Sequence, residues 1–388
     1  MRQIITPIFK RLNKETDLNR KYPTLHSDDG KIHVLYVHCL LNGSGLYRMI
    51  LPHLELNRTT THSAIIGTMH KWDFNKGFND YDNPIDPRLV KWADIVIFPA
   101  LTIDVSYIQQ ALLQINSHLG FVMDVDYHIQ DIPLEQTRKQ PTDNQRPTTL
   151  INNLAKMDVV TVPNSQLLDQ YQDLLREHFR YPKFEFAIVP NLVSVNGFEH
   201  LPIHGKRTGK VRIGLVGSPA IAEDANKISG TLREVANEHS DQFELVLFGW
   251  NGQWKGQPAF SDLPIEYHKP VNVMDYYARL NSLNLDLALL PASNDTLRSF
   301  GKSNTLFTEL SALGIPVVAH QNSPYAPLIA HGENGLLADH RDEWVEVIAH
   351  LVKKPSAYQD IGQYAQKFAW KNLSWNRLKA KMLADTYS

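Results

Sequence analysis

The sequence predicts an α/β protein built from two doubly wound halves. Short runs rich in β-branched and apolar residues alternate with longer segments of helical periodicity along most of the chain. The alternation lapses once, in a stretch holding Pro190, Gly197, Pro202, Gly205 and Gly209, and then restarts. A chain of 388 residues is also long for a single hydrophobic core.

Taken in order, the first half is expected to place strands over 32–37, 63–67, 94–98, 121–125, 158–162 and 186–189, with helices over 46–56, 105–115 and 166–178. The second half is expected to place strands over 211–216, 243–248, 285–290 and 315–319. Its helices are expected over 220–238, 273–283, 304–313, 343–352, 358–369 and 375–386. Strand–helix alternation of this kind gives a parallel sheet covered on both faces. The expected domains are 1–190 and 210–370, joined by a linker over 191–209. Residues 371–388 form a terminal helix that can pack back on the first domain. Two such domains leave a cleft, and ligands of open α/β sheets bind beyond the carboxyl ends of strands.

Composition narrows the function classes. The chain is 43% hydrophobic and 21% charged with a formal net charge of −2. That lacks the basic footprint of a nucleic-acid binder, so nucleic acid is not the default partner. A local basic stretch, Lys10, Arg11, Lys14, Arg20 and Lys21, reads first as solvated surface and second as a phosphate or membrane contact. The single cysteine, Cys39, gives no internal disulfide, and no apolar run is long enough to span a membrane. The N-terminus lacks the apolar core of a signal peptide. A cytoplasmic protein is therefore expected. Ile4, Ile5, Ile8, Phe9 and Leu12 can form one face of a short helix interrupted by Pro7. That face either docks on the protein or touches a membrane peripherally.

The junction richest in chemistry lies in the second half. After Leu289-Leu-Pro-Ala-Ser-Asn-Asp comes Arg298-Ser-Phe-Gly-Lys302-Ser-Asn-Thr305, and then a helix with Leu306, Phe307, Leu310 and Leu313 on one apolar face. Gly314 stops the helix. Ser303 or Asn304 suits its N-cap. Free amides and the helix dipole at such a start favour an anion. Lys302 supplies a point charge, and Arg298 can clamp a phosphate in bidentate fashion. Glu309, about two turns in, can accept hydrogen bonds from sugar hydroxyls. A nucleoside diphosphate offers a diphosphate and a ribose in that arrangement. Ordinary loop charges and a solvated Glu309 are the plainer reading of the same residues.

In the first half, Gly43-Ser44-Gly45 follows a strand and precedes a helix, so the backbone there can approach a ligand or simply turn tightly. Arg48 reads equally as an anion contact or a solvent-facing charge. Phe121-Val-Met-Asp-Val-Asp-Tyr-His128 closes a strand with Asp124, Asp126 and His128. These three suit an acceptor site that binds hydroxyls or relays a proton, an ordinary polar strand end, or a divalent-metal site. The two-domain pattern disfavours the metal, so none is expected. Trp250, Trp254 and Tyr267 belong to an aromatic stretch that reads chiefly as loop packing.

The run Lys302-Ser-Asn-Thr-Leu-Phe-Thr-Glu-Leu-Ser-Ala-Leu-Gly-Ile-Pro-Val-Val-Ala319 resembles the donor-site segment of retaining GT-B glycosyltransferases of the family 4 type. The likeness continues through Ser323-Pro-Tyr325 and His331-Gly-Glu-Asn-Gly-Leu-Leu337. Val159-Val-Thr-Val-Pro-Asn-Ser165, Ile188-Val-Pro-Asn191 and Val211-Arg-Ile-Gly-Leu-Val-Gly217 resemble that family's strand ends and the glycine turn of its donor domain. The second half is covered well and the first loosely. The Lys-Ser-Asn helix start is closest to a subset found in polysaccharide assembly.

The resemblance implies a GT-B fold, with 1–190 the acceptor side and 210–370 the donor side. It implies transfer of a sugar from a UDP- or GDP-linked donor to a hydroxyl on a glycan, a lipid-linked or another acceptor, with retention and no obligatory cofactor. Glu309 would hold the ribose. Gly43, Ser44, Gly45, Gly217, Ser218, Arg298, Lys302, Ser303, Asn304 and Thr305 would face the donor, and Asp124, Asp126 and His128 would supply catalytic or acceptor contacts. Gly301 stands where the family has the first of two acidic residues, and Lys227 is the one candidate for the basic pair after Gly217. Diphosphate binding is accordingly expected to rest on Lys302 and Arg298. Rival readings are a GT-B nucleotide-sugar 2-epimerase, a catalytically silent nucleotide-sugar-binding subunit and a DNA-base glycosyltransferase.

Overall fold

A computed structural model of the chain describes residues 1–25, 30–39, 41–69, 86–129, 146–179, 184–198, 201, 209–217, 222–239, 241–249, 263, 265–292 and 303–388. Two compact units emerge. The first comprises Arg2–Asn191 together with Trp375–Ser388, and the second comprises Met1 and Leu192–Ser374.

The first unit holds six strands: β1 (Ile32–Cys39), β2 (His62–Met69), β3 (Ile95–Pro99), β4 (Gly120–Asp124), β5 (Val159–Val162) and β6 (Glu185–Ile188). They form one sheet in the order β2-β1-β3-β4-β5-β6, and each pairing is parallel. Val34 to Val37 of β1 are fully buried, as a strand covered on both faces requires. Helices Ser106–Ile115, Arg146–Leu154 and Ser165–His178 each bury one stripe, for example Leu167, Tyr171 and Leu175.

The second unit repeats the plan with β7 (Val211–Val216), β8 (Phe243–Phe248), β9 (Ile265–His268), β10 (Leu287–Leu290), β11 (Val317–His320) and β12 (Leu336–Ala338). Their order is β12-β11-β10-β7-β8-β9, again parallel throughout. Leu215, Leu245, Leu247, Leu287 and Val318 from the strands meet Leu232 and Ile348 from the helices to form the core.

Both sheets show the doubly wound order, and the two-halved α/β expectation is met. Two strands escaped the sequence reading. β9 is an edge strand whose residues Ile-Glu-Tyr-His are none of them fully buried, so hydrophobic patterning is muted there. β12 is only three residues long.

The expected N-terminal helix runs unbroken over Arg2–Lys14 with Pro7 inside it. Its residues Ile5, Ile8 and Leu12 are buried and the helix packs against β2, so its apolar stripe belongs to the protein interior. The helix expected over 220–238 is two, Ala222–Lys227 and Ser229–His239. Among the described residues, no helix is long and apolar enough to cross a membrane.

Leu192 and Val193 are buried in the second unit, and Val193 bridges Ser374, with its amide donating to Leu373 O at 2.9 Å. Helix Arg377–Thr386 lies with the first unit, packing near helix Leu51–Leu56. There the His62 ring nitrogen Nε2 approaches Tyr387 O at 3.3 Å.

Candidate functional site

In the first unit, the carboxyl ends of β4, β5 and β6 carry a buried polar network. Parallel pairing sets Asp124 beside Thr161. Arg48 reaches them from the helix that comes after β1. Its Nε donates to Asp124 Oδ1 at 2.8 Å and its Nη2 to Asp124 Oδ2 at 2.7 Å. Its Nη1 donates to Asn191 Oδ1 at 2.8 Å and to the carbonyl of Val189. Thr161 Oγ1 donates to Asp124 Oδ2 at 2.6 Å. Arg48 and Asp124 are 3% and 4% exposed, so this is an ion pair removed from water, with good bidentate geometry. Neither an anion contact nor a solvent-facing role describes Arg48.

Local structure explains the reach. Gly43–Gly45 is the first turn of a helix rather than a free loop, and Asn42 Oδ1 caps it by accepting from Gly45 N at 2.9 Å. Leu46–Ile50 then forms a π turn before the α-helix Leu51–Leu56 resumes. A π turn inserts one extra residue and rotates the side chains beyond it, and such turns recur at functional sites. Here all five of its residues are buried, Arg48 among them.

Asp126 differs from Asp124. It sits past the strand end, half-buried, and accepts a hydrogen bond from exposed Ser44. Burial raises its carboxyl above the ordinary value, and the charge of Asp124 adds to that, while Ser44 and Arg48 oppose it. The structure therefore brings Ser44, Arg48, Asp124 and Asp126 together. His128 is buried nearby in sequence, and the half-buried Tyr127 has its hydroxyl pKa pushed up by burial and by Asp126. A Cβ placed on exposed Gly43 would meet nothing within 4 Å, so space is open there. From the C-terminal segment, Tyr387 joins this neighbourhood. Its hydroxyl pKa is raised by burial first and by Asp124 second.

In the second unit, the site forms at the carboxyl ends of β7, β8, β10 and β11. Gly217 and Gly249 end β7 and β8 with φ of 149° and 94°. A Cβ on Gly249 would lie 2.1 Å from Gly217 O, so side chains are barred where the two turns pass. Phe248 stacks on Tyr276, with ring centroids 5.5 Å apart at 19°. The Tyr276 hydroxyl hydrogen-bonds Glu309.

Glu309 lies on helix Thr305–Ala312, which is buried from Phe307 through Ala312, and is itself 7% exposed. It is no solvated surface residue. Tyr325 is buried beside both Glu309 and Asp224, and burial with these two charges raises its hydroxyl pKa. At the helix start the N-cap is Asn304, which makes no side-chain capping bond, and Thr305 N donates to Ser303 Oγ at 3.2 Å. The Asn304 Oδ1 is buried and accepts no hydrogen bond among the described residues.

Of the expected donor residues, Gly217, Ser303, Asn304, Thr305 and Glu309 lie in this unit at strand ends or the helix start. Ser218, Arg298 and Lys302 lie outside the described residues, as do Gly301, Trp250, Trp254 and Asp131. Gly43, Ser44, Gly45, Asp124, Asp126 and His128 lie in the first unit. Tyr267 is half exposed on the edge strand β9, and Lys227 is exposed at the end of its helix. Sequence reasoning passed over Tyr276 and gave Asp224 no role, and it met Tyr325 only as part of the family likeness. Only the sheet topology brings Tyr276 to Glu309, across a separation no local motif spans. Among the described residues, no cluster of three or more His, Cys, Asp or Glu side chains is arranged to hold a metal.

Residues 265–368 match the family model described as glycosyl transferases group 1. No curated protein sequence matches the chain. Among solved structures, an alpha-glucosyltransferase in complex with UDP-glucose and DNA containing an abasic site superposes with a TM-score of 0.62 at 13% identity, over 92% of this chain and 99% of that one. Sucrose-phosphate synthase from Thermosynechococcus elongatus gives 0.59 at 11% identity, over 92% and 98%. Anabaena HepE in complex with UDP-glucose gives 0.58 at 12% identity, over 92% and 99%. The chain has the GT-B fold, and the stretch of its second unit over residues 265–368 is similar to the glycosyl transferases group 1 model.

Proposed function

We propose that the protein transfers a sugar from a nucleoside-diphosphate sugar to an acceptor hydroxyl, with retention of anomeric configuration. The observation that carries this reading is Glu309. It is a buried carboxylate at the carboxyl end of a doubly wound sheet, on the helix between β10 and β11, in the same unit as a turn kept bare of side chains by Gly217 and Gly249. Such a carboxylate holds the ribose hydroxyls. The helix start at Ser303–Thr305, with Lys302 and Arg298, holds the diphosphate and stabilises its charge as the bond to the sugar breaks.

The acceptor oxygen bonds to the anomeric carbon as the bond to the β-phosphate oxygen breaks. Its proton passes to Asp126 and on to water, a relay that the raised pKa of Asp126 suits, and the same carboxylate already takes a hydrogen bond from Ser44. Asp124, with both oxygens occupied by Arg48 and Thr161, positions this strand end, and His128 lines it. The acceptor is a glycan, a lipid-linked sugar or another hydroxyl compound, as in polysaccharide assembly. UDP-glucose is the first donor to test, because it is bound in the two structures named above with it.

The test is a thermal-shift screen of UDP, GDP and their sugars, repeated with Lys302→Ala and Glu309→Ala. A nucleotide that binds the native state raises Tm, and each substitution should weaken the rise. The donor site is refuted if no nucleotide stabilises the wild type or if both variants respond unchanged. Donor incubated alone separates the rival enzyme, since a 2-epimerase converts it without an acceptor.

A further inference from the structure

Glu309 is a buried carboxylate, and a buried ionised group needs hydrogen-bond donors that hold it in one orientation. Tyr276 supplies one. Its hydroxyl donates to Glu309, and its ring packs on two aromatic neighbours. The ring stacks on Phe248, the last residue of β8, and meets Tyr277 edge-on at 5.7 Å. Tyr277 in turn stacks on Phe198 at 4.4 Å. Tyr276 opens helix Tyr276–Ser282, so the backbone carrying it is also anchored. The hydroxyl is therefore presented from a rigid aromatic train rather than from a mobile side chain.

We propose that Tyr276 is a positioning residue for the donor's ribose, acting through Glu309. Its hydroxyl fixes the orientation in which the carboxylate meets the ribose hydroxyls. This rests on the donor-site reading above. Tyr276 makes no bond to the nucleotide in this role, so its effect must vanish when the ribose hydroxyls are absent.

That condition gives the test. Binding of UDP, with GDP run in parallel, is measured by calorimetry against the matching 2′,3′-dideoxy nucleotide, using the full chain. The proteins are wild type, Tyr276→Phe, Tyr276→Leu and Glu309→Gln. Tyr276→Phe keeps the stack and removes only the hydroxyl. It should weaken the ribose nucleotide about tenfold, the low end for losing a hydrogen bond to a charged group, and leave the dideoxy nucleotide at its wild-type affinity. Tyr276→Leu should also lower the melting temperature, because it removes the ring that packs on Phe248 and Tyr277.

If Tyr276→Phe weakens both nucleotides equally, or neither, the positioning role is overturned. If Glu309→Gln discriminates between the two nucleotides while Tyr276→Phe does not, the donor site stands and the inference about Tyr276 fails. If the wild type binds both forms with equal affinity, the ribose role of Glu309 fails with it. Circular dichroism melting of Tyr276→Phe near the wild-type temperature guards against misfolding, and the dideoxy affinity reports folding independently.

Discussion

The guanidinium of Arg48 grips both carboxylate oxygens of Asp124, at 2.8 and 2.7 Å, in a place where neither side chain meets water. The pair joins the helix carrying Gly43–Gly45 to the end of β4, and through Asn191 and Val189 to the end of β6. Arg48→Met leaves Asp124 buried and unpaired, which costs about 3–5 kcal/mol. Denaturant melts should show that loss, and the double variant Arg48→Met/Asp124→Leu should recover much of it.

Asp126 gives a pH signature. Its pKa is raised in the folded state above the ordinary 3.8, so in the window above that value the native state binds more protons than the unfolded chain. Stability contributed by this group therefore falls as pH rises from about 3.8 through the raised pKa, and stays low above it. Asp126→Asn should melt higher than wild type at neutral pH, with the advantage shrinking toward zero on acidification. The same variant should abolish transfer while UDP binding persists. Retained turnover would remove Asp126 from the mechanism.

His53 acts with the opposite sign. Burial, helped by the charge of Arg11, lowers its pKa to about 4 from 6.5. The unfolded chain then binds more protons between those values, so stability is lost as pH falls through the window. The loss reaches up to about 3.5 kcal/mol at about 1.4 kcal/mol per pKa unit. His53→Gln should flatten the melting temperature across pH 6.5 to 4.

Gly249→Ala should damage both stability and donor binding. The new Cβ would sit 2.1 Å from Gly217 O, on a backbone with φ of 94°. Strain of that kind costs about 1–3 kcal/mol before the clash is relieved. Gly43→Ala, where a Cβ meets nothing within 4 Å, should leave the melting temperature unchanged.

Removal of Trp375–Ser388 should destabilise the first unit, although these residues are the last in sequence. Tyr387, Leu383 and Ala380 are buried there. Limited proteolysis should cut the shortened chain within residues 2–191 while leaving 192–374 protected.

The chain's own pattern was enough to fix the class of fold. Continuous apolar runs such as Val211–Val216, punctuated by helical segments, admit little besides buried parallel strands, because a strand covered on both faces must be apolar throughout. The helix that carries Glu309 was also legible, since its start and the Gly314 stop are local signals. The tertiary structure decided what each polar residue touches. Arg48 looked free in sequence and is locked on Asp124, 76 positions away. Tyr276 carries no local signal and reaches Glu309 only because β7, β8, β10 and β11 end side by side, and Tyr325 feels the charges of both Glu309 and Asp224. Periodicity encodes which side of an element is buried. Partners between distant segments are set by strand order, which a doubly wound sheet fixes only when the whole unit has folded.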